Sequence, residues 1–290
     1  PQYPVNGSVL VAEHGKVIYK KSFGFADAKN KLMNREESRF QLASITKIFT
    51  STAILQLRDK GKLNLDDPLN RYFPEFPYPD ISIRHLLSHT SGLPDFQIFE
   101  ELVEKSPSKT FTNADIVPAL KAWKTPLASK PGDSWGYSNP GYCLLALLIE
   151  QVSGLKFEDY VRQQIFVPTG MANSYFETDK LPAPDLNKAK EQSYRLLFDN
   201  ELQAVEMAKW RGFTGNGGII STAGDLLRFD QALYSGRLLK PSTLDDAFSP
   251  VRLNNGKSAK TTTLDATAVD KQVEGLEYTL EQLELGGHQH

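Results

Sequence analysis

A serine hydroxyl is a weak nucleophile at neutral pH and needs a neighbouring base. Three serines in this 290-residue chain have a lysine three positions on: Ser44/Lys47, Ser106/Lys109 and Ser153/Lys156. On a helix, residues three apart share a face, so the amine can reach the hydroxyl. Spacing alone is a weak signal, because ordinary serine and lysine frequencies give about one chance match in a chain this long. Context separates the three. Pro107 follows Ser106 in a polar stretch and Ser153-Gly154 closes a helical pattern, so Lys109 and Lys156 read as solvated side chains. Ser44 follows Phe40-Gln41-Leu42-Ala43 and precedes an apolar helical pattern. That places it at a helix N-terminus, where unpaired backbone N–H groups and the dipole favour an oxyanion. The same position also suits a plain N-cap, a common role for serine.

A second group of polar residues, Tyr137-Ser138-Asn139, is the single Tyr-x-Asn of the chain and lies between Lys130-Pro131-Gly132-Asp133 and an apolar helical stretch. A phenol can relay a proton and a carboxamide can hold a substrate amide. The alternative is a buried tyrosine beside a turn-forming asparagine before Pro140. No Gly-x-Ser-x-Gly is present, which counts against a strand–turn–helix nucleophile elbow. His85 and His89 are four apart but lack a third ligand and the glutamate of a His-Glu-x-x-His site, so His89 is expected to tether the turn at Thr90-Ser91-Gly92. Cys143 is the single cysteine and cannot form an internal disulfide or a zinc site alone, which leaves it as a small core residue. Of the three tryptophans, Trp135, two residues before Tyr137, is best placed to line a cleft.

The elements that must hold these residues follow from pattern. Residues 7–26 read as a hairpin turning at His14-Gly15, with Ser22-Phe23-Gly24-Phe25 continuing the second strand. Residues 44–60 read as a helix capped by Gly61, with Ile48, Ile54, Leu55 and Leu57 on a mostly buried surface. From 62 to about 210, Pro and Gly punctuate short helical stretches at 82–89, 113–123, 141–152 and 157–166. Beta character returns at 217–222 and a further helix is expected over 223–234, while 257–263 has the texture of an exposed loop. Strands, then a helical middle, then strands predict an α+β fold with an inserted helical domain. The predicted boundaries are 1–60 with 211–290 for the sheet domain and 61–210 for the helical one.

Composition narrows the function classes. Hydrophobic residues make up 40% and charged residues 23%, which is incompatible with a wholly disordered chain. Thirty-three Lys+Arg against 35 Asp+Glu give a formal −2, without the basic surplus that phosphate binding needs. No apolar run approaches the roughly 20 residues of a membrane-crossing helix.

Four stretches together resemble the serine β-lactamase and penicillin-binding protein superfamily, on the side of the class C β-lactamases and related esterases. They are Phe40-Gln41-Leu42-Ala43-Ser44-Ile45-Thr46-Lys47, Leu86 to Pro94, Pro131-Gly132 with Tyr137 to Tyr142, and Gly217 to Leu226. Their order makes the match far more specific than any one of them. The resemblance implies an antiparallel sheet flanked by helices, a helical domain beside it, and a site in the cleft between them. It implies that Ser44 is acylated, Lys47 is its base or proton relay, Tyr137 is the second proton-transfer group, and Asn139 hydrogen-bonds the substrate amide. The Ser44 backbone N–H would form half of an oxyanion hole, with a late strand supplying the rest. Such chemistry needs no metal or organic cofactor, takes a small-molecule or peptide-like acyl substrate, and often works in the periplasm or otherwise outside the cytoplasm. A β-lactamase, an esterase and a D-amino-acid peptidase all fit, and a non-turnover penicillin-binding sensor or a pseudoenzyme is the rival. The family's third motif, Lys-Thr-Gly or His-x-Gly, is absent as written. Gly287-His288-Gln289-His290 stands nearest to it, which makes His288 a candidate substrate-binding residue. The resemblance also implies further C-terminal strands and a helix ahead of the first hairpin.

Overall fold

The computed structural model describes residues 6–259, apart from several positions between 97 and 107 and the stretches 124–125, 180–193, 197–201 and 205–211. Strands β1 (Gly7–Glu13) and β2 (Lys16–Phe23) form the expected antiparallel hairpin. Its turn puts both His14 (φ +48°) and Gly15 (φ +76°) in the left-handed region, which matches the right-handed twist of the strands. The second strand does not run on through Gly24. There the backbone bends at φ +70°, and β3 (Phe25–Asp27) pairs instead with β4 (Leu32–Met33). A glycine inside an otherwise regular strand pattern marks such a bend.

Strand β5 (Phe40–Gln41) leads through a short 3-10 turn, Ala43–Ile45, into helix α1 (Thr46–Asp59). Gly61, at φ +67°, ends the helix, and Lys62 donates back to the Leu57 carbonyl at 2.9 Å. Nearly all of α1 is buried, with Phe49, Ala53 and Ile54 wholly inaccessible. Ile48, expected in the core, is 49% exposed: it shares one outward stripe with Ile45. Phe49 contacts the Phe166 and Phe229 rings at centroid distances of 5.9 and 4.3 Å, and burial of each large apolar side chain contributes roughly 1.5–3 kcal/mol.

Helix α2 (Ile83–Leu87) starts at Ser82, whose hydroxyl accepts the His85 N–H while His85 Nδ1 accepts the Ser82 N–H. Helix α3 (Ile116–Trp123) is followed by the buried helix α4 (Asn139–Ser153). Ser138 caps α4, Pro140 sits in its first turn, and Gly154 closes it at φ +74°. Helix α5 (Phe157–Val161) continues into a wide turn at Arg162–Phe166. Strand β6 (Tyr175–Phe176) then joins a three-stranded antiparallel sheet in the order β5-β9-β6, with β9 at Ile219–Ser221. A hairpin of β7 (Tyr194–Leu196) and β8 (Leu202–Ala204) precedes β9. Helix α6 (Ala223–Tyr234) begins with its Thr222 cap, and helix α7 (Pro241–Phe248), not foreseen from pattern, follows. Antiparallel strands covered by helices make this an α+β fold, as expected. No helix among the described residues is long and apolar enough to cross a membrane.

Candidate active site

Ser44 is not an N-cap. It lies in the middle of the 3-10 turn ahead of α1, and its side chain makes no capping bond. Ala43, directly before it, has φ +45°, a conformation that costs a non-glycine residue about 1–3 kcal/mol and must be held by its surroundings. Leu42 does part of this by donating to the Ile219 carbonyl at 2.9 Å. The result turns the exposed Ser44 hydroxyl toward solvent and toward two partners. Ser44 Oγ and Tyr137 Oη share a 2.7 Å hydrogen bond, and Lys47 Nζ donates to Ser44 Oγ at 3.2 Å.

Lys47 is buried, and its ammonium is matched by three acceptors: Ser44 Oγ, Asn139 Oδ1 at 2.8 Å and the Asn216 carbonyl at 2.8 Å. An ammonium has three N–H donors and no acceptor, so this set uses it fully. Its charge also faces the Tyr137 ring at 4.8 Å and the Tyr142 ring at 5.5 Å. The four residues Ser44, Lys47, Tyr137 and Asn139 are thus brought into one cluster. Lys109 and Lys156, the other spacing matches, pair instead with Asp115 at 2.7 Å and Glu150 at 3.6 Å. His288 lies outside the described residues, as does the strand expected to complete an oxyanion hole.

Several supporting residues carried no sequence signal of their own. Asn216 supplies its carbonyl to Lys47 and its side-chain oxygen to the Cys143 thiol at 3.3 Å. Gly215 sets Asn216 in place at φ +91°, and a Cβ there would meet Ala146 Cβ at 2.6 Å and the Tyr142 carbonyl at 2.7 Å. Thr50 of α1 donates to the Gly215 carbonyl at 2.7 Å, so the helix that carries Lys47 also holds its acceptor. Asp95 accepts from both the backbone N–H and the Nδ2 of Asn139.

His89 does not tether the turn at Thr90-Ser91-Gly92 but the loop that carries Tyr137. Its carbonyl accepts the Gly136 N–H at 2.8 Å and its Nδ1 accepts the Ser138 N–H at 3.2 Å. Its ring packs on Tyr137 and Tyr142 at 4.6 and 5.0 Å, with Trp135 edge-on at 6.0 Å. Burial, reinforced by the nearby Lys47 charge, lowers its pKa to about 4, so the ring is neutral at ordinary pH. Trp135 thus buttresses both His89 and Tyr137. Cys143 is wholly buried, which raises its thiol pKa well above the usual range and makes it unreactive.

The cleft over Ser44 encloses about 300 Å³. Phe96, Phe176 and Phe213 form its apolar side, Asn139 and Asn216 its polar floor, and Gln41 and Glu177, joined at 2.8 Å, another wall. The described residues contain no group of three or more His, Cys, Asp or Glu placed to hold a metal.

The sequence model of the beta-lactamase family matches residues 5–288. A penicillin-binding protein of Bacillus subtilis (strain 168) is 37% identical over 267 residues, 89% of this chain and 58% of that relative, so the chain spans little more than half of it. Among solved structures, a penicillin-binding protein from Bacillus halodurans superimposes with a TM-score of 0.72 at 30% identity, covering 88% of this chain and 77% of that one. D-amino acid amidase from Ochrobactrum anthropi SV3 superimposes with a TM-score of 0.70 at 27% identity, covering 84% and 72%.

Proposed function

Because the chain belongs to the beta-lactamase family, we propose that it is a serine hydrolase working through a covalent acyl-enzyme on Ser44. One observation carries this reading: an exposed serine hydroxyl lies 2.7 Å from a tyrosine hydroxyl and 3.2 Å from a buried lysine amine, at the floor of an open cleft. Ser44 Oγ attacks the acyl carbonyl of a bound ester, amide or β-lactam and passes its proton to the group beside it; as the carbonyl re-forms, the ester C–O or amide C–N bond breaks and the alkoxide or amine leaves protonated. Tyr137 Oη, the nearer group, takes the Ser44 proton as it hands its own phenolic proton to the leaving group, while the Lys47 ammonium, with all three N–H groups placed, holds Ser44 and Asn139 in register and stabilises the negative charge that develops. Asn139 presents its carboxamide to the substrate amide. A water molecule then hydrolyses the ester on Ser44, with the same groups moving the proton in reverse. The reaction needs no cofactor beyond these side chains.

The substrate class follows from the cleft and the company the chain keeps. Three phenylalanines suit an apolar or aromatic acyl side chain, and the polar floor suits a peptide-like backbone. Penicillin-binding relatives and the D-amino acid amidase support acyl donors of that kind, with a D-amino-acid peptidase or general esterase ranked at least level with a β-lactamase. We further propose, from its likeness to penicillin-binding relatives, that it works outside the cytoplasm.

Intact mass spectrometry after incubation with a penicillin, and separately with a p-nitrophenyl ester, tests the reading. The expected result is an acyl adduct or released product in the wild type and neither in Ser44→Ala. A stable penicilloyl adduct without turnover marks a sensor, and absence of both adduct and product marks a pseudoenzyme. An unchanged adduct in Ser44→Ala overturns the assignment of the nucleophile.

A further inference from the structure

Asn139 is the one member of the cluster whose chemistry depends on which way round it sits. A carboxamide has nearly the same shape after a half-turn, but one end only donates hydrogen bonds and the other only accepts. Its two ends here meet groups of opposite kind. Lys47 Nζ donates to Oδ1 at 2.8 Å, and Nδ2 donates to Asp95 Oδ2 at 3.2 Å. The other oxygen of Asp95 accepts the Asn139 backbone N–H at 2.9 Å. Turning the amide over would set N–H against an ammonium and oxygen against a carboxylate, two repulsive contacts at once.

We propose that Asp95 is the positioning residue of this site, a carboxylate that fixes the Asn139 carboxamide with its oxygen on Lys47 and its second N–H free for the substrate. The inference rests on the acyl-enzyme reading above. It extends the ordered chain beyond the nucleophile and its lysine: Ser44, Lys47, Asn139, then Asp95. Asp95 itself is well held. It follows Pro94, whose carbonyl accepts the Ser138 hydroxyl at 3.1 Å, and it faces the first turn of α4, where a negative charge is favourable. The fit between an acceptor-only side chain and the donor end of the amide is what a mere helix cap would not require.

Asp95→Asn separates the two roles, because it keeps the shape and one acceptor for the Asn139 backbone N–H but turns the other oxygen into a donor. Cleavage of a p-nitrophenyl ester is measured in the wild type, Asp95→Asn, Asn139→Ala and the double variant. Asp95→Asn is expected to slow acylation at least tenfold, since misplaced catalytic groups lose on the order of 10²-fold, while melting within a few degrees of the wild type. In the double variant it is expected to cost nothing beyond Asn139→Ala. Effects that multiply, or a wild-type rate in Asp95→Asn, overturn the proposal. A second readout does not depend on catalysis: the side-chain amide resonances of Asn139 in ¹⁵N-labelled protein, identified by their loss in Asn139→Ala, are expected to shift in Asp95→Asn. Unmoved resonances overturn the proposal, even where a wild type that is never acylated has already refuted the hydrolase reading. Asp95→Ser, which keeps an acceptor at the helix start, reads the same coupling if Asp95→Asn does not fold.

Discussion

At the scale of single residues, the site works by saturation of donors and acceptors. Lys47 has no spare N–H: each points at an acceptor, and one of those acceptors is the Ser44 hydroxyl. A hydroxyl proton leaving Ser44 therefore meets Tyr137 Oη first, at 2.7 Å. Tyr137→Phe keeps the ring packing on His89 and the face toward Lys47 but removes that oxygen. Its acylation rate is expected to fall by about 10²–10⁴-fold, the usual worth of a positioned proton-transfer group, with the melting temperature within a few degrees of the wild type. Stopped-flow release of p-nitrophenolate measures it. A rate within threefold of the wild type would take Tyr137 out of the proton path.

At the scale of elements, two loops and one helix set the geometry. The stretch 89–92 runs along the Tyr137 loop: Gly132 donates to the Thr90 carbonyl, Gly136 to that of His89, and Ala128 to that of Gly92, each at 2.8 Å. Asn254 braces the same loop from the far side by donating to the Pro131 carbonyl and Asp133. On the other flank, α1 and the 214–219 segment are joined through Thr46 and Thr50. The tightest point there is Gly215, where no Cβ fits against Ala146 and the Tyr142 carbonyl. Gly215→Ala is expected to destabilise the protein by roughly 2–4 kcal/mol and to slow acylation, because Asn216 must move off Lys47. Thermal melting and ester kinetics check both. A melting temperature within a degree of the wild type would show that the segment can adapt.

At the scale of the whole molecule, the half-buried neutral His89 couples the site to global stability. Its folded-state pKa of about 4 lies below the ordinary 6.5, so between those values the unfolded chain binds a proton that the native one does not. Stability is thus fully present above about pH 6.5 and falls as the pH drops toward 4, by up to about 3 kcal/mol from this one ring. His85, half-buried and shifted the same way, adds to the slope, whereas Asp66, Asp67 and Asp115, held below the usual carboxylate range, lose their contribution only at lower pH. Urea midpoints at pH 7 and pH 4.5 are expected to differ clearly in the wild type and markedly less in His89→Gln. An equal difference in both would place the acid sensitivity elsewhere.

What could be read from the chain alone was local. Ser44 and Lys47 are three residues apart, helix α6 carries its own cap, and the His14-Gly15 turn carries its own backbone signature, because each depends on neighbours within one or two turns. Gly24 broke the second strand, and Ile48 faced outward, because strand ends and helix faces answer to packing rather than pattern. The contacts that make a site are of another range. Tyr137 reaches Ser44 across 93 residues, Asn139 reaches Lys47 across 92, and the Asn216 carbonyl reaches Lys47 across 169. Asp95 lies one residue past a recognisable stretch, and nothing in its type or spacing marks it. Sequence determined which polar groups the chain could offer to a site; only the packing of α1, α4 and two loops decided which of their donors and acceptors meet, since hydrogen bonds require distances that no linear spacing encodes.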